Sequence, residues 1–348
     1  MMLSRPGRAL RLTAVAAAAS LALAACGSGD DAPAEGEGLG DLTVQLSWIK
    51  NAEFAGEFMA DSKGYYADAG FGDVTLNAGP GATENLVASG KADFGLTNAV
   101  TVGQVVANED APIKIVGTTF QKNPFTILSL KDGANIETID DLKGKKIGVQ
   151  DGGNGLLFSA LLAANGLTED DVEIVPVQYD PQPLVNGEVD GFLAYVTNES
   201  IIVEAQGEEV TNLLFADNGL PFVAESIIAT DETIAERPEA VKAFLEAEIK
   251  GWTEACTDLE EGARLAVEEY GADQDLDLDK EVEQNTVQCE ELVNTDETAE
   301  NGLFTISDEL LAQNMETFEA AGIDAAQEDV FDLSLLEELL AEKPELKG

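Results

Sequence analysis

The 348-residue chain contains no histidine. That absence removes the usual general base at neutral pH, the commonest zinc ligand and the centre of a Ser-His-Asp triad. Basic residues are scarce as well. Lys and Arg number 19 against 67 Asp and Glu, a formal charge of −48. The balance argues against nucleic acid as a partner, because phosphate contacts need basic side chains, and it leaves the folded surface little with which to grip anionic lipid. The acids are spread along the chain. A solvated acidic surface accounts for that spacing better than a device for attracting a cation does. A membrane-spanning helix is also missing from the N-terminal apolar run: residues 12–25 fall short of the roughly 20 residues that a bilayer requires.

The run has another use. Arg5, Arg8 and Arg11 precede it, and small residues end it, so residues 1–25 read as an export signal. The ending, Leu23-Ala24-Ala25-Cys26, resembles the lipobox of bacterial lipoproteins, which implies cleavage before Cys26 and lipid on its thiol. Residues 26–40, rich in Gly, Ala and acid, have the composition of a flexible tether. Only two other cysteines exist, Cys256 and Cys289. In an exported protein such a pair is expected to be bonded.

From Asp41 onward short β-rich runs alternate with helical stretches, the pattern of α/β architecture. With 45% hydrophobic residues, the length suffices for two domains. Residues 126–130 and 222–229 are apolar β runs without the expected helix before them and read as crossings between two lobes. After Pro238 amphipathic helices take over, expected to pack on the first lobe. The division is then 41–127 with 222–348 for lobe 1, and 128–221 for lobe 2.

One pattern occurs twice. Leu86-Val87-Ala88-Ser89-Gly90-Lys91-Ala92-Asp93 is echoed by Leu184-Val185-Asn186-Gly187-Glu188-Val189-Asp190, and each copy runs through an apolar strand to a Thr-Asn pair, at Asn98 and Asn198. A helix ends at Gly, a turn carries Asp into a strand, and the strand's carboxyl end presents a polar side chain. In open α/β sheets ligands sit at that end. Further candidates have the same placement. Trp48, with Asn51 three residues on, could stack a flat ligand while the amide reads its edge, although Trp48 equally suits a core position. The turn Asp151–Gly155, with Asn154 in it, could bring backbone amides to a ligand or serve only as a tight βα turn. It lacks the Walker Lys and the G-x-G-x-x-G spacing. Tyr195, Asn198 and Glu199 offer a stacking face, an amide and a carboxylate, or an ordinary helix cap. A calcium loop at Asp273, Asp275, Asp277 and Asp279 lacks the Gly and the closing Glu that such a loop needs, so no metal is expected.

The runs QLSWIKNAEFAGEFMADSKGYYADAGF, LVASGKADFG, TIDDLKGKKIGV and GEVDGFLAYVTNES together resemble a family of ABC-importer solute-binding proteins. It contains the binders of thiamine pyrimidine precursors, with riboflavin, sulfonate, taurine and nitrate binders as relatives. The resemblance implies a type II periplasmic-binding-protein fold: two α/β lobes, two crossings and a ligand cleft between them. It implies a lipid-anchored, monomeric receptor outside the cytoplasm, without cofactor or catalysis, that passes a small ligand to an ABC permease. The favoured ligand is a flat nitrogen heterocycle such as hydroxymethylpyrimidine or formylaminopyrimidine. Riboflavin comes next, then alkylsulfonate, taurine or nitrate. The positions that match are Trp48, Asn51 and Phe54 in the first lobe and Tyr195, Asn198 and Glu199 in the second, with Asn98 at the end of the first echo. The superfamily also holds a cytosolic pyrimidine-forming enzyme that relies on a His, which this chain lacks. An exported enzyme using Glu53 and Glu199 as a carboxylate pair is the alternative of another class.

Overall fold

Gly90 and Gly187 show how the repeated pattern folds. Both take left-handed backbone, with φ of 68° and 70°, a conformation that glycine adopts without steric cost. Each reverses the chain after a short helix, Thr83–Ala88 or Gln182–Val185. The Asp that follows is set against a neighbouring strand. Asp93 Oδ2 accepts from Thr43 N at 2.9 Å, and Asp190 Oδ2 accepts from Lys146 N at 2.9 Å. Thr43 and Lys146 return their carbonyls to the amides of Asp93 and Asp190, each at 2.8 Å. The two copies thus register a strand by the same paired contact.

The computed structural model describes residues 38–151 and 153–347. The signal, Cys26 and most of the tether lie outside them. The strands in chain order are β1 (Gly40–Gln45), β2 (Phe71–Asn77), β3 (Phe94–Thr97), β4 (Ile113–Phe120), β5 (Phe125–Leu130), β6 (Lys146–Gln150), β7 (Glu173–Val177), β8 (Gly191–Tyr195), β9 (Val210–Leu214) and β10 (Ala224–Thr230). They form two five-stranded sheets, ordered β2-β1-β3-β10-β4 and β7-β6-β8-β5-β9. β1 begins at Gly40, the last residue assigned to the tether.

β5 and β10 are the antiparallel members of the two sheets. The runs read from sequence as crossings are therefore inserted strands. The crossings proper are the short links ahead of them, residues 121–124 and 215–223. Two hydrogen bonds join the links to each other: Asn123 Nδ2 donates to Leu220 O at 2.6 Å, and Asn123 N donates to Phe222 O at 3.0 Å.

The helix Pro238–Thr257 lies on the first lobe so closely that a Cβ at Gly251 would stand 2.2 Å from Gly56 O. The helix Asp308–Ala321 does more than cover that lobe. Its Leu311 and Phe318 share one apolar cluster with Val100 and Val102 of the first lobe and Leu157 and Phe158 of the second. Asn314 Oδ1 also accepts from Val223 N in the return link at 3.1 Å. Cys256 and Cys289 are joined, with Cα atoms 5.4 Å apart. The bond ties the long helix to the end of the helix Leu278–Gln288.

Two outcomes follow. Asp93→Ala and Asp190→Ala should each lower unfolding free energy by about 1–2 kcal/mol, because each strands a strand amide. Denaturant melts that match the parent would remove the proposed role of the paired contact. Without reductant, the unfolded chain from Gly38 onward should expose no titratable thiol. Reduction should cost about 3.5–4 kcal/mol in the chain-entropy view.

Candidate functional site

Residues at the carboxyl ends of parallel strands from both sheets line one cleft: Ser47 and Trp48 after β1, Thr97 and Asn98 at β3, Gln150 at β6, Tyr195 at β8. β5 and β10 run the other way, so their first residues arrive at the same edge. Phe125 pairs with Tyr195, and Ser226, next to Glu225, pairs with Thr97. Phe125 and Glu225 are therefore cleft residues placed by the strand insertions.

The cleft is walled by carboxyl groups. Glu53, Glu84, Glu199 and Glu225 line it and are all buried. Among the described residues no Lys or Arg does so. Ser47 Oγ stands 2.8 Å from Glu225 Oε2 and 3.3 Å from Glu53 Oε1. A hydroxyl has one proton to give, so both contacts are satisfied only when one carboxyl carries a proton of its own. The Tyr195 hydroxyl donates to Glu225 Oε1 at 3.1 Å. Burial raises the pKa of Glu53 well above the carboxylate range, and the charges of Glu225 and Glu199 raise it further. Burial raises Glu225 too, against the hydrogen bonds from Ser47, Glu53 and Tyr195.

Glu199 is held at both oxygens. Tyr195 N donates to Oε2 at 2.8 Å and Asn198 Nδ2 to Oε1 at 3.0 Å. Burial pushes it up to about 7, opposed by those bonds and by Lys280. Thr97 Oγ1 donates to Glu84, whose pKa burial also raises.

Six of the sequence-derived residues meet here: Trp48, Asn98, Asn154, Tyr195, Asn198 and Glu199. Their tasks differ. Asn98 Oδ1 caps the helix Ala99–Glu109, taking Thr101 N at 3.0 Å and Thr101 Oγ1 at 3.1 Å. Asn198 is committed at both ends, to Glu199 and to the Lys280 ammonium. Asn154 Nδ2 donates to Gln150 Oε1 at 3.1 Å. Tyr195 stands edge-on to Phe125, with centroids 4.5 Å apart.

Asn51 and Phe54 need correction. Neither lines the cleft. A 3-10 turn, Ala52–Phe54, follows Asn51, which caps it by accepting from Glu53 N at 3.1 Å. The turn sends Phe54 into the first lobe's core, fully buried, and aims Glu53 at the cleft instead. Glu53, considered only as half of a catalytic pair, is therefore a lining residue, and Glu84, Glu225, Gln150 and Ser47 went unnoticed. Glu225 left one trace in sequence: it interrupts an apolar strand, between Phe222-Val223-Ala224 and Ile227-Ile228.

The comparisons with known proteins bear on this geometry. A family model described as NMT1/THI5 like matches residues 51–261. The riboflavin-binding protein RibY of Chloroflexus aurantiacus is 29% identical over 307 residues, 84% of each chain. A 4-amino-5-hydroxymethyl-2-methylpyrimidine phosphate synthase of Schizosaccharomyces pombe is 29% identical over 203 residues, 55% of this chain and 58% of the enzyme. The periplasmic nitrate-binding protein NrtA of Synechocystis superposes with a TM-score of 0.61 at 15% identity, over 88% of this chain and 91% of that one. That likeness is one of fold, the periplasmic-binding-protein fold with its two lobes and central cleft.

The raised carboxyls give stability a definite pH slope. Between the ordinary value of 4.5 and about 7, folded Glu199 holds a proton that the unfolded chain has lost. Its stabilising contribution is complete below that window and declines as pH rises through it. Ligand-free protein should melt at a higher temperature at pH 5 than at pH 8. Glu199→Gln, which keeps the shape without the charge, should narrow the gap. A melting temperature that climbs with pH would contradict the assignment.

Proposed function

Because the chain belongs to the NMT1/THI5-like family, we propose that it is an extracytoplasmic receptor delivering a small flat nitrogen heterocycle to an ABC permease. Lipid on Cys26 would hold the monomeric protein to the outer face of the cell membrane. The observation that carries the ligand class is the cleft lined by Glu53, Glu84, Glu199 and Glu225 without a basic side chain among the described residues. Ring N–H and amino groups donate to carboxylates, and a protonated carboxyl can donate to a ring nitrogen. Trp48 and Tyr195 offer aromatic faces beside them. Sulfonate, taurine or nitrate would bring negative charge against buried carboxyls, a pairing that costs rather than contributes.

Two ring systems fit this description. An aminopyrimidine, the group in the name of the S. pombe relative, matches the carboxylate-rich wall directly. A flavin is favoured by the match to RibY, which extends over 84% of each chain. In both cases the lobes close about the links 121–124 and 215–223 and present a joined surface to the permease. The ligand leaves unchanged. Asn198 serves as a positioning residue for Glu199, while Trp48, Asn98, Asn154 and Tyr195 touch the ligand.

Calorimetry with hydroxymethylpyrimidine, riboflavin, taurine and nitrate tests the reading. A heterocycle should bind and the anions should not. Glu199→Ala should weaken binding about 10- to 100-fold by removing a charged hydrogen-bond partner. Tight binding of taurine or nitrate alone would overturn the ligand class, and turnover of a bound heterocycle would overturn the receptor.

A further inference from the structure

Lys280 stands where neither its helix nor its burial favours it. It falls in the first turn of the helix Leu278–Gln288, where Asp277 Oδ1 accepts from its backbone N at 3.0 Å. A cation at that end opposes the helix dipole. Burial opposes an ammonium charge, yet the side chain is only 9% exposed. In a chain with 19 basic residues, such a placement needs a reason outside the helix.

Its partners supply one. The ammonium donates to Glu281 Oε1 at 2.9 Å, to Gln284 Oε1 and to Asn198 Oδ1. An ammonium has three protons and no lone pair, so the set is complete. Two of the acceptors belong to its own helix, and the third belongs to the second lobe. The helix is fastened to the first lobe: Glu281 Oε2 accepts from Ala52 N at 2.6 Å, and Gln288 Nε2 donates to Ala52 O at 2.6 Å. Ala52 opens the turn that aims Glu53 at the cleft. Lys280 therefore continues a hydrogen-bonded chain from the first-lobe turn to the second-lobe wall.

The amide of Asn198 determines what that chain transmits. One end of an amide accepts and the other donates. A partner that only donates holds the oxygen toward itself, which turns Nδ2 to Glu199 Oε1 at 3.0 Å. Reversed, the amide would set an oxygen against the carboxyl. Tyr195 N holds the other oxygen at 2.8 Å. We infer that Lys280 is a positioning residue of the ligand site: it fixes the Asn198 amide, and through it the Glu199 carboxyl, from the opposite lobe. It does not itself line the cleft. Because the contact joins the two lobes, their separation about the links 121–124 and 215–223 frees the amide to turn. The inference rests on the reading of Glu199 as a ligand-binding group.

Calorimetry with riboflavin and hydroxymethylpyrimidine on the full chain compares the parent, Lys280→Met, Asn198→Ala and the double variant. Lys280→Met should weaken heterocycle binding about 10-fold, the loss of an oriented charged hydrogen-bond partner. With Asn198→Ala already in place it should cost less than about twofold, since a residue that acts through another is not additive with it. Lys280→Met combined with Glu281→Gln removes both buried charges together and should behave like Lys280→Met, so misfolding of the single variant does not shelter the inference. A second readout needs no ligand. Carbon NMR of labelled glutamate follows the titration of Glu199, whose signal is identified by its absence in Glu199→Gln. The charged and titratable groups about that carboxyl are Lys280 and Glu281 on the helix, Tyr195 at the end of β8, and Glu53, Glu84 and Glu225 in the cleft. Lys280 holds the titration down, so Lys280→Met should move the midpoint above the parent's value of about 7, and Lys280→Arg, which restores cationic donors, should bring it back. Parent-like affinity without Lys280, additive losses with Asn198→Ala, or an unmoved Glu199 midpoint overturns the inference. Failure of the parent to bind either heterocycle overturns the ligand reading instead, and the titration then decides the role of Lys280 by itself.

Discussion

The cleft depends on two antiparallel strand pairings. β10 lies between β3 and β4, and β5 between β8 and β9, each strand arriving from a link that has just left the other sheet. Reversal of direction places the first residue or two of each inserted strand beside the last residues of its parallel neighbours. Glu225 and Phe125 thereby join Thr97 and Tyr195 at one edge. Neither position could be reached by a strand running with its neighbours. The same backbone ladder that completes each sheet therefore delivers one carboxyl and one aromatic ring to the cleft, and it does so right after the links that join the lobes.

This placement gives the buried acids a physical rationale. Four glutamates in a space without a cation are an expensive arrangement, since desolvation opposes each charge and neighbours oppose one another. Protons relieve it in the empty protein, as the single Ser47 hydroxyl between Glu53 and Glu225 requires. A second pair, Glu57 and Glu248, repeats the arrangement behind the cleft, with Trp252 Nε1 donating to Glu57 Oε1 at 3.3 Å and Tyr66 donating to Glu248. Burial raises both pKa values. The interior of the first lobe thus gathers carboxyls whose protonated form burial favours, and the cleft is its open end.

The sequence disclosed the lobes and part of the cleft for identifiable reasons. The echoed helix-Gly-Asp-strand unit is local, and its glycines and aspartates keep the same spacing, so the sequence alone sets Asn98, Tyr195, Asn198 and Glu199 at strand ends. Asn51 and Phe54 were misplaced because a three-residue 3-10 turn rotates the chain between them, and that turn has no periodic signature. Glu225 and Glu84 escaped notice because one glutamate among 67 acidic residues gives no contrast. The burial of Glu225 is decided by strand order, which lies in pairings between residues more than a hundred positions apart.

The missing basic residue in the cleft has a consequence for the surroundings in which such a protein works. Sulfate, phosphate and small organic acids are the anions that an arginine side chain binds well. A site that offered an arginine would spend most of its time occupied by them. A wall of carboxyls without a basic side chain among the described residues offers such anions no counter-charge, and any carboxyl that ionises adds repulsion. Exclusion of common anions, rather than strength of grip, is what such a lining secures.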